Sequence, residues 1–365
     1  MRQRITLIVG IFAVMALSNA IVPVLPAFGQ AAPAVQGAIF SAYFFGAFLT
    51  VLPAGMLADR IGKVPLIRAG LLLTLLSGCI MTAVPLPVPV LAARGLEGIG
   101  AGLFVASALS WVNAQRDHRL LSGYFIAALN FGLLAGLLGT GWLEAGMGAT
   151  GGILLFTVLS ALPLLMGIAL RETENETLPP VRIVETLRDH FWLYISAVVL
   201  VGVTGVVTTL YPEFTGHDAA LLSIEIGMMN TATIVTSILA PRFMLEPVRT
   251  MRISAIGMAI AVACSLAAPN AGTAAVIAAF AMIGGIAGFI INAQLAYLAA
   301  TRVQQGTLMG LFNTATYAGM TLLPFTAGII AQFAGFPAAF LVMAGCAAVM
   351  AVTIGWCRCR AVPSA

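Results

Sequence analysis

Gly55-Met56-Leu57-Ala58-Asp59-Arg60-Ile61-Gly62-Lys63-Val64-Pro65-Leu66 is the stretch on which the fold turns. It places one acid and two cations between nearly uncharged apolar runs, residues 34–56 before it and 64–84 after it. A membrane span needs about 20 apolar residues, because the hydrocarbon layer is roughly 30 Å thick and a helix rises about 1.5 Å per residue. Both runs meet that length, so the charged stretch reads as a short loop between two spans.

Working outward, ten further runs of this kind occupy residues 5–27, 87–110, 120–142, 150–170, 191–211, 219–241, 251–269, 272–298, 307–332 and 336–356. Of 365 residues 61% are hydrophobic and only 8% charged, with a mean hydropathy of +1.05. A soluble domain carries about 25% charged residues. The runs are continuous, whereas barrel strands alternate over about ten residues, so helices are expected. The expectation is an all-α membrane protein of twelve transmembrane helices. The first run follows Arg2 and Arg4 and carries small residues at Ser18 and Ala20, features shared with secretory signals. Eleven more spans and the charge pattern argue that it stays as a span.

Sixteen of the 17 basic residues fall on one side of the spans: Arg2, Arg4, Arg60, Lys63, Arg68, Arg116, Arg119, Arg171, Arg182, Arg188, Arg242, Arg249, Arg252, Arg302, Arg358 and Arg360. The opposite loops hold Glu144, Glu213, His217 and Asp218 and no Lys or Arg. Basic residues are retained on the cytoplasmic face, which puts both termini in the cytoplasm of a chain in the cytoplasmic (inner) membrane. The pI of about 9.0 therefore reflects topology and no nucleic-acid partner. Arg94, inside the fourth span, is the exception.

The chain repeats itself. Gly123, Gly132 and Gly141 match Gly310, Gly319 and Gly328 at an offset of 187, with small residues at Thr140 and Ala327. Gly55 to Arg60 match Ser237 to Arg242 at an offset of 182. Two similar six-helix bundles are expected, residues 1–170 and 191–365, joined by a polar cytoplasmic linker at 171–190, part of which, Val181 to Asp189, could lie as a short amphipathic helix on the membrane. Halves with a central site between them are a common plan for alternating access.

These motifs resemble those of the major facilitator superfamily across essentially the whole chain, closest in pattern to its drug and metabolite proton antiporters. The opening stretch looks like that family's motif A, and the resemblance implies a cytoplasmic gate of Gly55, Asp59, Arg60, Gly62 and Lys63. Asp59 would pair with Arg116 and face the start of the eleventh helix. Arg94-Gly95-Leu96-Glu97-Gly98-Ile99-Gly100-Ala101-Gly102 is similar to motif B, with Glu97 where glutamine is usual. Gly123, Gly132, Gly136 and Gly141 resemble motif C of exporting antiporters, although Leu137 replaces its proline. Glycines so spaced also serve helix packing in any membrane protein.

An ionised group within a span marks a function by default. Glu97 and Arg94, three apart, share a helix face and can neutralise each other; Glu225 has no basic residue nearby in sequence. All three are assigned to proton coupling, with Glu97 exchanging a proton as Arg94 moves between it and substrate. A permanent Arg94–Glu97 pair that holds helices together is the alternative. Glu213 reads as a solvated loop end. Asn19, Tyr43, Asn130, Asn230, Asn292 and Tyr317 are assigned to a substrate cavity, Asn19 with Asn130 first, since the resemblance places the first and fifth helices at its border. Gln294 and Asn313 are further candidates, and any of these can instead bond helices together.

Cys79, Cys264, Cys346, Cys357 and Cys359 have no metal or disulfide spacing, and no nucleotide-binding glycine loop occurs. Neither an enzyme nor a metal or cofactor is expected. The expectation is a monomeric secondary transporter in the lipid bilayer, moving a small apolar, amphipathic or cationic solute by proton-coupled efflux. Proton-coupled uptake of a small metabolite, and a passive lipid translocator or sensor, remain as alternatives.

Overall fold

A computed structural model describes residues 2–29, 32–113, 115, 118–172, 187–188, 190–243, 246–300 and 305–354, without the side chains of residues 2, 59, 113, 118–120, 241, 299–300 and 305–309. Among the described residues the structure is helical throughout. Twelve long helices follow one another: α1 Arg2–Ala20, α2 Pro33–Ile61, α3 Lys63–Ala83, α4 Pro87–Asn113, α5 His118–Met147, α6 Gly151–Gly167, α7 Phe191–Thr215, α8 Ala219–Leu239, α9 Pro247–Ala267, α10 Thr273–Ala300, α11 Gln305–Ala334 and α12 Phe336–Thr353. Among the described residues eleven spans are long and apolar enough to cross a membrane; α6 is apolar but has only 17 residues. At about 1.5 Å per residue it still rises roughly 26 Å, the lower end of spanning length.

Helices end where the sequence removes a donor or supplies a turn. Ahead of Pro23, which has no N–H to give, α1 stops at Ala20. A 3-10 turn, Val22–Val24, and a five-residue helix, Leu25–Gly29, complete the first span. The loop expected after residue 56 is far shorter than the charges suggest. Helix α2 runs on to Ile61, and Gly62 alone makes the turn, with φ of 96°, before Lys63 opens α3. Only glycine adopts that backbone readily. Gly148 and Gly335, both at positive φ, make the α5–α6 and α11–α12 turns at the offset of 187 seen in the repeat.

The α3 and α6 ends close on each other. Glu172 lies five residues beyond α6 and accepts hydrogen bonds from the backbone N–H groups of Lys63 and Val64, at 3.2 and 2.7 Å. Those are orphan donors at a helix start, where a carboxylate also meets the positive end of the helix dipole. In return Arg68 donates to the carbonyls of Gly167, Ile168 and Leu170, at 2.9, 2.8 and 3.0 Å. A Cβ on Gly62 would collide with the Glu172 carboxylate. Glu172→Ala is expected to cost about 1 kcal/mol, the worth of a helix cap, and to lower the melting temperature in detergent by a few degrees. A melting curve matching the parent would show that water caps α3 equally well.

The chain packs as two compact units, Met1–Pro179 with Gly216–Ser223, and Pro180–Thr215 with Ile224–Ala365. In the first, Leu7, Ile11, Val14, Ile67, Leu71, Phe104, Trp111 and Phe125 form a buried core. Large apolar side chains such as Trp142, Phe131 and Leu165 stay exposed, as lipid-facing residues do. Because lipid is as apolar as leucine, helices in a membrane gain most from close packing at small residues. Gly98 meets the Tyr43 carbonyl and Gly102 the Thr50 hydroxyl, joining α4 to α2. In the second unit Gly284 meets the Met229 carbonyl and Gly288 the Thr236 hydroxyl, joining α10 to α8. Within each of these four pairs of equivalents (98 and 284, 43 and 229, 102 and 288, 50 and 236) the numbers differ by 186. The units thus repeat the same helix contacts in the same register. Likewise Gly132 meets the Phe12 carbonyl and Gly319 the Val198 carbonyl.

Candidate functional site

The close α2–α4 approach brings Tyr43 to Arg94. The guanidinium carbon of Arg94 lies 4.6 Å from the Tyr43 ring centroid, over its π face. Its Nη1 donates to Glu97 Oε2 at 2.5 Å and to the Ser18 carbonyl at 3.1 Å. Ser18 is in the last turn of α1, where carbonyls have no partner within the helix, so Arg94 serves an acceptor left open by the break before Pro23. Three helices, α1, α2 and α4, therefore converge on one guanidinium. Arg94 and Glu97 are 1% and 0% exposed, and Tyr43 is buried. Among the described residues Arg94 Nε and Glu97 Oε1 have no hydrogen-bond partner.

The other sequence candidates fall elsewhere. Asn19 Nδ2 donates to the Leu133 carbonyl at 2.9 Å, bonding α1 to α5. Asn130 and Asn292 donate to Ile126 and Gly288 carbonyls on their own helices. Asn19 and Asn130 thus do different work. Asn230 and Tyr317 are half-buried on α8 and α11, and Asn313 is exposed. In the second unit Glu225 is fully buried and interacts electrostatically with Tyr211, whose hydroxyl donates to the Ser265 carbonyl at 3.1 Å. Gln294 Nε2 donates to Ser196 Oγ at 3.1 Å, tying α10 to α7.

Among the glycines, Gly132 and Gly136 press on the α1 backbone at Phe12 and Ala16, and Gly141 on Ser223. Among the described residues, a Cβ on Gly123 or Gly55 would meet nothing within 4 Å. Lys63, expected as a loop cation, is 4% exposed. The Asp59 side chain and Arg116 lie outside the described residues, as do residues 173–186 of the linker, Cys357 and Cys359. Among the described residues no cluster could hold a metal.

The sequence profile of the Major Facilitator Superfamily matches residues 7–322. The chain belongs to that superfamily. It is accordingly a transporter and not an enzyme, and a multi-pass membrane protein. Among solved structures, the nucleoside transporter NupG superposes with a TM-score of 0.80 at 13% identity, over 97% of this chain and 98% of that one. A single-substitution variant of NupG gives 0.81 at 14%, over 96% and 98%. That likeness shows the superfamily fold at full length. No curated protein sequence matches.

Placing the repeat register on the site shows what is particular to it. At 186 residues on, Arg94 corresponds to Phe280, Glu97 to Ile283 and Tyr43 to Met229, all three buried. Beside the shared helix contacts the second unit thus carries three apolar residues, where the first has an ion pair and a tyrosine. This register was legible as Gly98 and Gly102 against Gly284 and Gly288, although helices 2 and 8 align at 182 past the shared threonines.

Proposed function

We propose that this superfamily member is a proton-coupled secondary transporter that exports a small apolar, amphipathic or cationic solute across the cytoplasmic membrane, with Arg94 and Glu97 at its coupling centre. One observation carries the reading: the second unit builds the same α2–α4 type of seam with Phe280, Ile283 and Met229 in place of the charged group. A buried ion pair can be exchanged for apolar residues of similar volume without loss of stability. Packing alone therefore does not require Arg94 and Glu97, and their presence supports a role in transport.

Glu97 Oε1, buried and without a partner, is a place for a proton or a substrate donor. Glu225 is the second carboxyl of the proposal. Asp59, Arg60, Lys63 and Arg116 are assigned to the cytoplasmic gate, with Gly55 and Gly62. The positive loops support a topology with both termini in the cytoplasm. The motif C pattern of α5 supports export, and the carrier is proposed to act as a monomer. Uptake of a small metabolite is the second reading, and a nucleoside transporter has the same fold.

Solute-driven proton movement in proteoliposomes tests this, with lipophilic cations, amphipathic compounds and nucleosides offered on either side. Export coupling predicts a pH-gradient-dependent response that Glu97→Gln abolishes. A response lost only in Glu225→Gln would move the coupling centre to α8. Proton flux with nucleosides entering would reverse the direction, and none with any compound would overturn proton coupling.

A further inference from the structure

We infer that the Arg94 guanidinium is a tethered occupant of an organic-cation site, and that the transported solute carries an amidinium, guanidinium or protonated amine that takes its place. The inference rests on reading Arg94 and Glu97 as the transport site. Three groups from three helices meet at the guanidinium, and all attract positive charge. Glu97 supplies a carboxylate, Ser18 a carbonyl at the negative end of α1, and Tyr43 a π face. No two of them are neighbours in sequence, so the convergence is a property of the fold.

Charge decides the ligand class. The cluster encloses one positive and one negative group, each nearly without solvent contact. A neutral solute that displaced the guanidinium would leave Glu97 buried without a counter-charge, and an anion would add a second negative charge to it. A cation leaves the balance around Glu97 unchanged as the arginine head withdraws on its long, flexible stem. The unused Oε1 of Glu97 accepts a further donor, which a ligand with two N–H groups brings and the present Arg94 contact does not. A planar amidinium suits this best, since it reaches both carboxylate oxygens in parallel and lies flat on a tyrosine ring.

Binding of benzamidine, with neutral benzamide as control, is to be measured by calorimetry on the purified full-length protein. The parent should bind benzamidine weakly, because Arg94 competes, and benzamide not at all. Arg94→Met should bind benzamidine at least tenfold tighter, and Glu97→Gln should bind neither. Tyr43→Leu, which leaves the ion pair in place, should weaken benzamidine about tenfold and serves if Arg94→Met does not fold. Equal affinity in parent and Arg94→Met, or for benzamide and benzamidine, overturns the inference. So does binding to Arg94→Met alone, which would mark a hole made by the substitution. The assay needs no transport: cation binding without proton flux would fell the coupling and leave this site standing, and flux with charge-blind binding would do the reverse.

Discussion

Arg94→Phe combined with Glu97→Ile is expected to give a protein that folds and does not transport. The pair copies what the second unit carries at the equivalent positions, Phe280 and Ile283, which are fully buried there. Either change alone leaves one charge of the pair without its partner, and breaking a buried pair this way costs about 3–5 kcal/mol. Removing both takes away the uncompensated charge together with the desolvation it demanded, so the double variant should melt within a few degrees of the parent. Solute-driven proton flux should fall to the level of empty liposomes. If the double variant is as unstable as the singles, the pair is structural and the transport reading loses its main support. In the double variant Tyr43 faces a phenyl ring instead of a cation.

Gly98→Val should prevent accumulation of folded protein altogether. A Cβ at residue 98 would overlap the Tyr43 carbonyl, and both sides of that contact are helix backbone, which cannot rotate away as a side chain can. Overpacking in an ordinary core costs about 1–3 kcal/mol; here the α2–α4 seam itself must open. Gly284→Val, against the Met229 carbonyl, should do the same in the second unit. Gly146→Val and Gly345→Val are the matched controls, because a Cβ at either meets nothing within 4 Å. Size-exclusion profiles of fluorescent fusions read all four. Monodisperse Gly98→Val would mean that the helices slide apart at little cost.

The number and kind of helices were legible in the sequence because hydropathy over some twenty residues reports the solvent directly. So was the Arg94–Glu97 contact, since residues three apart on a helix must be neighbours. Partners from other helices were not. Nothing in the local pattern ties Tyr43 or Ser18 to Arg94, and both arrive through the glycine seam and the break in α1. Gly123 shows the converse limit. It belongs to a regular glycine series that matches its counterpart in the repeat, and among the described residues a side chain there would still meet no neighbouring atom, because periodicity names a face without naming what lies opposite. The Arg60 to Lys63 region looked like a solvated loop by charge alone, whereas Gly62 compresses it to one residue and buries Lys63.

The mutual capping of α3 and α6 decides where the molecule can be cut. By helix boundaries the first half would end at Gly167, and a fragment stopping there would lose the Ile168 and Leu170 carbonyls that Arg68 holds and the carboxylate that closes α3. A fragment carried through Glu172 keeps both ends of that exchange. For split expression, fusion insertion or coexpression of separate halves, the natural scissile point therefore lies after Glu172, five residues past the last turn of α6.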